Sequence, residues 1–141
     1  MNTAALPEEQ LEELIERPKI VLIDDDADQL RVLSYRLEQQ GFHTFSAMSG
    51  QVGFELVRRQ LPDLVVMDLG LPDSSGFEIC KNITDDPKLC NIPVIIVSGM
   101  ERSDVVRETR SAGATFYVRK PYDPNALLLL VHKAINDAKS W

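Results

Sequence analysis

Polar side chains that could share one reaction follow four short apolar runs of the chain. Three consecutive aspartates at 24–26 follow the first run, Asp68 the second, Ser98 the third and Lys120 the last. Clustered carboxylates repel one another unless a cation neutralises them, and an all-oxygen cluster suits Mg²⁺. A lysine and a hydroxyl beside it would complete an oxyanion or phosphoryl site, and an aspartate can itself be the nucleophile.

Five apolar runs, each too short for a helix, predict the strands that hold these side chains. The runs at 20–23, 64–67 and 94–97 are rich in β-branched residues, which is typical of strands buried on both faces. The more polar runs at 42–46 and 115–118 are expected nearer the edges of the sheet.

Amphipathic segments alternate with these strands. The predicted helices cover 27–40, 49–60, 77–83, 103–112 and 123 to about 138. This alternation implies an α/β fold with a doubly wound parallel sheet, right-handed crossovers and helices on both faces. Because the carboxyl ends of parallel strands share one edge, we expect the aspartates, Ser98 and Lys120 to converge there.

Composition and charge limit the classes of function. The 141 residues include 15 basic and 22 acidic side chains, giving a formal net charge of −7, and 44% of residues are hydrophobic. These values are typical of one globular domain, and the negative charge disfavours binding to nucleic acid or anionic lipid. No apolar run approaches the roughly 20 residues of a membrane span and no secretory signal is visible, so a cytoplasmic protein is expected.

The cysteines and histidines do not follow a metal-binding pattern. We interpret Cys80 and Cys90 as reduced and mostly buried, and His43 and His132 as surface or packing residues. A zinc site is therefore not expected.

The first 17 residues are predicted to form a helical extension that precedes a domain spanning 18–141. Leu11, Leu14 and Ile15 lie on one stripe of this predicted helix, and Pro18 ends it. The simpler expectation is that the stripe packs on the domain surface. The alternative is a contact with a second copy or another partner.

Four segments together resemble the response-regulator receiver domain. They are KIVLIDDD at 19–26, DLVVMDLGLPDSSG at 63–76, PVIIVSG at 93–99 and KP at 120–121. The resemblance covers residues 18 to about 138 and implies a flavodoxin-like sheet of order 2-1-3-4-5 with five helices. Each motif alone is weak, since an aspartate can cap a helix and a lysine can be a solvated surface charge, but four in family order are specific.

The resemblance assigns Asp68 as the residue that accepts a phosphoryl group from a histidine kinase or a histidine phosphotransfer protein. It also implies a Mg²⁺ site in which Asp25, Asp68 and the backbone carbonyl of Gly70 are direct ligands. Asp24 acts on the metal mainly through water. Asp26 matches no ligand position.

The resemblance further implies how phosphorylation changes the domain. Ser98 and Lys120 bind the phosphoryl oxygens, and Tyr117 rotates inward as Ser98 moves. The bond between Lys120 and Pro121 is expected to be cis. A downstream protein or output domain then binds the face formed by the fourth helix, fifth strand and fifth helix.

Several functions agree with this pattern. The first is a stand-alone signalling switch or phosphorelay intermediate, which can also pair as a homodimer. The second is the receiver part of a longer regulator with a cyclic-dinucleotide enzyme or a DNA-binding domain. The third, an aspartyl-nucleophile phosphotransferase, is disfavoured because Gly70 stands where such enzymes usually carry an acid/base aspartate. Gly70 and Met100 also lack the water-orienting side chains of fast self-dephosphorylating relatives, so a long-lived phosphoryl group is expected.

Overall fold

The structure is a computed structural model that describes residues 6–11, 17–99 and 105–140. Five strands form one parallel sheet, ordered β2-β1-β3-β4-β5. The strands are β1 (Lys19–Ile23), β2 (His43–Ala47), β3 (Leu64–Asp68), β4 (Val94–Ser98) and β5 (Phe116–Arg119). This confirms the predicted fold class and strand order. The two edge strands each begin one residue later than predicted.

Helices cover both faces of the sheet, as predicted. They are α1 (Ala27–Gln39), α2 (Gly50–Gln60), α3 (Gly76–Asp85), α4 (Val105–Ser111) and α5 (Pro124–Lys139). α3 extends beyond the predicted 77–83 at both ends, and Ser75 sets its start by accepting the N–H of Phe77. The start predicted for α4, at 103, lies outside the described residues.

Two hydrophobic clusters hold the helices against the sheet. Val21, Ile23 and Met67 point into one cluster, and Ile20 and Leu22 point into the other. Successive residues of a strand point to opposite faces, so β1 is apolar at every buried position. The three central strands thereby form a rigid base for the residues at their carboxyl ends.

The environments of the two cysteines differ. Cys80 is fully buried in α3, as expected, and its thiol donates to the carbonyl of Ala112. The prediction is wrong for Cys90, which is exposed in the turns between α3 and β4 and donates to the Pro87 carbonyl. Its apolar character did not place it in the core, because these turns run along the surface.

The N-terminal extension is described at residues 6–11 and at Arg17. Residues 8–11 are helical, and Leu11 is 42% exposed; Leu14 and Ile15 lie outside the described residues. The Arg17 guanidinium donates to Glu38 Oε1 at 2.9 Å and to the carbonyl of Gly41 at 3.1 Å. Arg17 therefore ties the start of the domain to the end of α1.

Among the described residues, no helix combines the length and apolar character needed to span a membrane.

Candidate functional site

The carboxyl ends of β1 and β3 bring three aspartates together. Asp24 and Asp25 follow β1, Asp68 ends β3, and the two strands are hydrogen-bonded neighbours. One carboxylate oxygen from each aspartate lies within 4.8 Å of the others. The side chains of Asp24 and Asp68 are only 13% and 15% exposed, whereas Asp25 faces solvent. The cluster is thus partly buried and open on one side.

Lys120 supplies a positive charge to this cluster. Its Nζ lies 3.0 Å from Asp24 Oδ2 and 3.3 Å from Asp68 Oδ2. The backbone N–H of Lys120 donates to the Ser98 carbonyl at 2.9 Å, and the Lys120–Pro121 peptide bond is cis. The end of β4 therefore fixes the lysine backbone while the side chain bridges two carboxylates.

Burial and charge alter the acid–base behaviour of the pair. Burial raises the pKa of Asp24, and this effect exceeds the opposing influence of the Asp26 N–H and of Lys120. Burial works to lower the pKa of Lys120, but the hydrogen bond and charge of Asp24, together with Asp68, raise it overall. The ammonium is therefore strongly held in its charged form.

Asp26 has a structural role in this arrangement. Its Oδ1 accepts the N–H groups of Asp28 and Gln29 at 3.0 and 3.2 Å, which caps α1. Its own N–H donates to Asp24 Oδ1 at 2.9 Å. Asp26 thus caps α1 while its backbone N–H orients the carboxylate of Asp24.

The donor set fits a hard divalent cation such as Mg²⁺. Asp24, Asp25 and Asp68 offer carboxylate oxygens, and Gly70, two residues after Asp68, offers a backbone carbonyl in an exposed loop. The N–H of Gly70 donates to Asp68 Oδ1 at 3.3 Å, so loop and carboxylate are in contact. Mg²⁺ prefers oxygen ligands and retains several waters, which the open side of the cluster would admit.

Ser98 and Tyr117 lie on neighbouring strands, β4 and β5. Ser98 ends β4 and is 1% exposed, beside the strand that carries Asp68. Tyr117 lies on β5, packs at the margin of a core cluster and lines a groove of about 290 Å³ with Val106 and Arg110. The structure therefore brings Ser98 to the same edge as the acidic residues and leaves Tyr117 on the outer strand.

Comparison with known proteins identifies the family. The family model described as the response regulator receiver domain matches residues 20–132, most of the chain. The chain belongs to this family. The receiver domain is 31% identical over 117 residues to the protein PilH of Pseudomonas aeruginosa, covering 83% of this chain and 97% of PilH.

Other relatives differ in length from the receiver domain. The response regulator PleD of Caulobacter vibrioides is 30% identical over 106 residues, which cover 74% of this chain but only 23% of PleD. The chain thus matches about a quarter of that regulator.

Solved structures show the same fold. A CheY-like receiver domain protein from Methanospirillum hungatei superimposes with a TM-score of 0.84 at 23% identity, covering 89% of this chain and 98% of that one. The BeF3-activated DrrB receiver domain gives a TM-score of 0.75 at 32% identity, covering 85% and 98% of the two chains.

Sequence reasoning does not single out Tyr122, which lies beside the site of this receiver domain, or Asp73, which lies in the loop after Asp68. Tyr122 lines a small cavity of about 20 Å³ with Asp24, Gln29 and Lys120, and burial raises its pKa. Its position two residues after Lys120 is the signal that could have indicated it. Asp73 accepts hydrogen bonds from the start of α2, more than twenty residues away, and no local pattern predicts that contact.

Proposed function

We propose that this receiver domain carries a phosphoryl group on Asp68, in the presence of Mg²⁺, and that the modification switches a protein-binding face. The observation that carries the proposal is the meeting of three carboxylates within 4.8 Å with a lysine 3.3 Å from Asp68. The Lys120 ammonium offsets the negative charge of Asp68. The Asp68 carboxylate can therefore approach an anionic phosphodonor more readily than an isolated surface aspartate can.

The phosphodonor in this proposal is a phosphohistidine of a histidine kinase or a histidine phosphotransfer protein. An Asp68 carboxylate oxygen attacks the phosphorus, an O–P bond forms, and the P–N bond breaks as the imidazole leaves. Asp25, Asp68 and the Gly70 carbonyl would hold Mg²⁺ directly, with Asp24 acting through water. The cation supplies positive charge that lets the two anions meet.

Lys120 and Ser98 then bind the added oxygens. Lys120 already contacts Asp68 and needs only a small shift to reach a phosphoryl oxygen. The Ser98 hydroxyl donates to another, and its movement frees space for Tyr117 to turn inward. The face of α4, β5 and α5 consequently differs between the two states, and a downstream protein or output domain binds one of them.

The stored group is expected to be long-lived, so the domain acts as a switch and not as an enzyme that turns over substrate. Gly70 has no side chain that could orient an attacking water at the position two residues after Asp68. Met100, the second position that supports this expectation, lies outside the described residues. A phospho-Asp68 half-life of seconds in the purified protein with Mg²⁺ would contradict this part of the proposal.

Two arrangements of the whole protein remain in the proposal. The match to nearly all of PilH agrees with a stand-alone switch, and the match to a quarter of PleD agrees with a receiver inside a longer regulator. In either arrangement we place the protein in the cytoplasm, with residues 1–17 as an extension of the receiver domain. The net charge of −7 argues against direct nucleic-acid binding by this chain.

Intact-protein mass measurement after incubation with acetyl phosphate tests the proposal. We expect one phosphoryl adduct in the wild type with Mg²⁺, and none without Mg²⁺ or in Asp68→Asn. Asp86→Asn is the matched control, because the hydrogen bond described for the Asp86 carboxylate, from the Lys88 N–H, lies in a turn at the other end of the sheet. An unchanged adduct in Asp68→Asn, or no adduct under any condition, would overturn the proposal.

A further inference from the structure

The loop that follows Asp68 is attached to the start of α2 by one side chain. Asp73, in the loop between β3 and α3, accepts the Gly50 N–H on Oδ1 at 2.8 Å and the Gln51 N–H on Oδ2 at 2.9 Å. Both N–H groups belong to the first turn of α2, where a helix leaves its donors without internal partners. Each oxygen of the carboxylate therefore has its own donor.

Close packing accompanies these hydrogen bonds. A Cβ atom added to Gly50 would lie 2.2 Å from Ser74 Oγ and 3.1 Å from Ile79 Cδ1. A side chain at position 50 would therefore require Ser74 to move. The contact at Gly50 lies at the same junction as the Asp73 hydrogen bonds, one of which uses the Gly50 N–H.

The base of the loop is fixed separately. The Gly76 N–H donates to the Leu69 carbonyl at 3.1 Å, and Gly70 forms a β-bridge with Ser75. A Cβ atom at Gly76 would lie 2.5 Å from the Asp68 carbonyl oxygen, so the base is tightly closed. Gly70 thus belongs to the closed base of the loop, and Asp73 fixes the tip of the same loop to α2.

We propose that Asp73 is a positioning residue, which holds the loop against α2 and thereby fixes the Gly70 carbonyl for divalent-cation binding. This inference rests on the proposed function, because it concerns the same cation site. Groups that orient metal ligands commonly change metal affinity by 10-fold or more when they are removed. Asp73 touches none of the three clustered carboxylates in the described contacts, so its influence passes through the loop.

The competing explanation is that Asp73 merely caps α2. The structure offers a matched control, because Ser49 caps the same helix by accepting the Val52 N–H on its hydroxyl oxygen at 3.3 Å. Ser49→Ala removes this cap and leaves the Asp73 hydrogen bonds to Gly50 and Gln51 in place. Asp73→Asn keeps one acceptor oxygen but turns an amide donor toward a backbone N–H.

Calorimetric titration of the full chain with MgCl₂ tests the inference, with thermal melts run on every variant. We expect Asp73→Asn to raise the Kd for Mg²⁺ by about 5-fold or more, and Ser49→Ala to leave it within about 2-fold of the wild type. In ¹⁵N-labelled wild type, the Gly50 and Gln51 amide resonances should move when Mg²⁺ is added, since the loop joins them to the site. This measurement needs no variant and remains decisive if Asp73→Asn does not fold.

Each outcome has a clear meaning. The inference about Asp73 would be overturned, with the proposed function intact, by any of three results. These are an unchanged Mg²⁺ Kd in a folded Asp73→Asn, an equal change of the Kd in Ser49→Ala, or Gly50 and Gln51 resonances that do not shift when Mg²⁺ is added. A wild type that does not bind Mg²⁺ would overturn the proposed function as well.

Discussion

Lys120 and Asp24 form an ion pair of 3.0 Å that joins the segment after β5 to the carboxyl end of β1. The same ammonium reaches Asp68, so one cation is shared by two carboxylates that are each largely shielded from solvent. An unpaired charge in such a position is costly, because little water is available to compensate it. The ion pair is therefore a structural contact, and it also holds the Lys120 ammonium beside the proposed phosphoryl acceptor.

Replacing Lys120 should expose the repulsion within the acidic cluster. We expect Lys120→Met to lower the free energy of unfolding by about 1–3 kcal/mol in Mg²⁺-free buffer, and the loss to shrink when Mg²⁺ is added. Urea denaturation with and without Mg²⁺ measures both effects. Lys133→Met is the control, since the Lys133–Asp137 pair is exposed and should contribute less than about 1 kcal/mol. An equal loss with and without Mg²⁺ would contradict the explanation.

Asp24 should cost stability near neutral pH. Because burial raises its pKa, folding favours the protonated form, and this stabilisation is present at low pH and lost as the pH rises through the folded-state pKa. Asp24→Asn removes the charge yet keeps an oxygen for the Asp26 N–H. We expect the variant to be more stable than wild type near pH 7 without Mg²⁺, and the difference to shrink toward about pH 4. A less stable variant near pH 7 would show that the pairing with Lys120 outweighs burial.

Glu38 should stabilise the fold in the opposite pH range. Burial works to raise its pKa, but the Thr44 N–H and hydroxyl and the Arg17 guanidinium together hold it below the ordinary value. A carboxyl pKa that folding lowers stabilises the protein at pH values above the unfolded-state pKa. This stabilisation is lost as the pH falls through the folded-state pKa.

We expect Glu38→Gln to cost about 0.5–1 kcal/mol near pH 7, because Glu38 is 36% exposed and solvent screens its charge, and progressively less below about pH 4. Chemical denaturation across this pH range measures the change. Glu55→Gln, which removes an exposed pair with Arg58, should change stability by less than about 0.5 kcal/mol. A cost that does not vary with pH would refute the contribution of the Glu38 charge.

Two glycines after Asp68 should respond differently to a methyl group. In Gly76→Ala the new Cβ would meet the Asp68 carbonyl oxygen at 2.5 Å, whereas Gly70 has no atom within 4 Å of that position. We expect a loss of about 2 kcal/mol for Gly76→Ala and less than about 0.5 kcal/mol for Gly70→Ala, measured by thermal or urea unfolding. Similar losses in the two variants would contradict the packing described around the loop.

Ser98 should link phosphorylation to Tyr117 without being required for the adduct. In protein containing fluorotyrosine, the ¹⁹F resonance of Tyr117 should shift on addition of beryllofluoride and Mg²⁺, and this shift should be lost in Ser98→Ala. Tyr117→Phe assigns the signal, and the exposed Tyr35 provides a resonance that stays in place. A full ¹⁹F shift of Tyr117 in Ser98→Ala would show that Tyr117 responds to beryllofluoride independently of Ser98.

The sequence predicts the elements and the meeting of the acidic residues because both depend on local pattern and topology. Short β-branched runs mark the strands, and parallel order alone brings Asp24 and Asp68 to one edge. The contact between Asp73 and Gly50 depends on how two loops pack, which no local pattern encodes. The exposure of Cys90 likewise depends on the path of the turns before β4. The ion pair between Arg17 and Glu38 depends on where the extension meets α1.

The unequal surroundings of the two cysteines have a practical consequence. Burial raises the pKa of the Cys80 thiol to about 11, whereas Cys90 is exposed just before β4, at the opposite end of that strand from Ser98. The chain contains no other cysteine. A maleimide dye should therefore label the natural protein at one known point, giving a fluorescent reporter of binding whose attachment leaves the acidic pocket untouched.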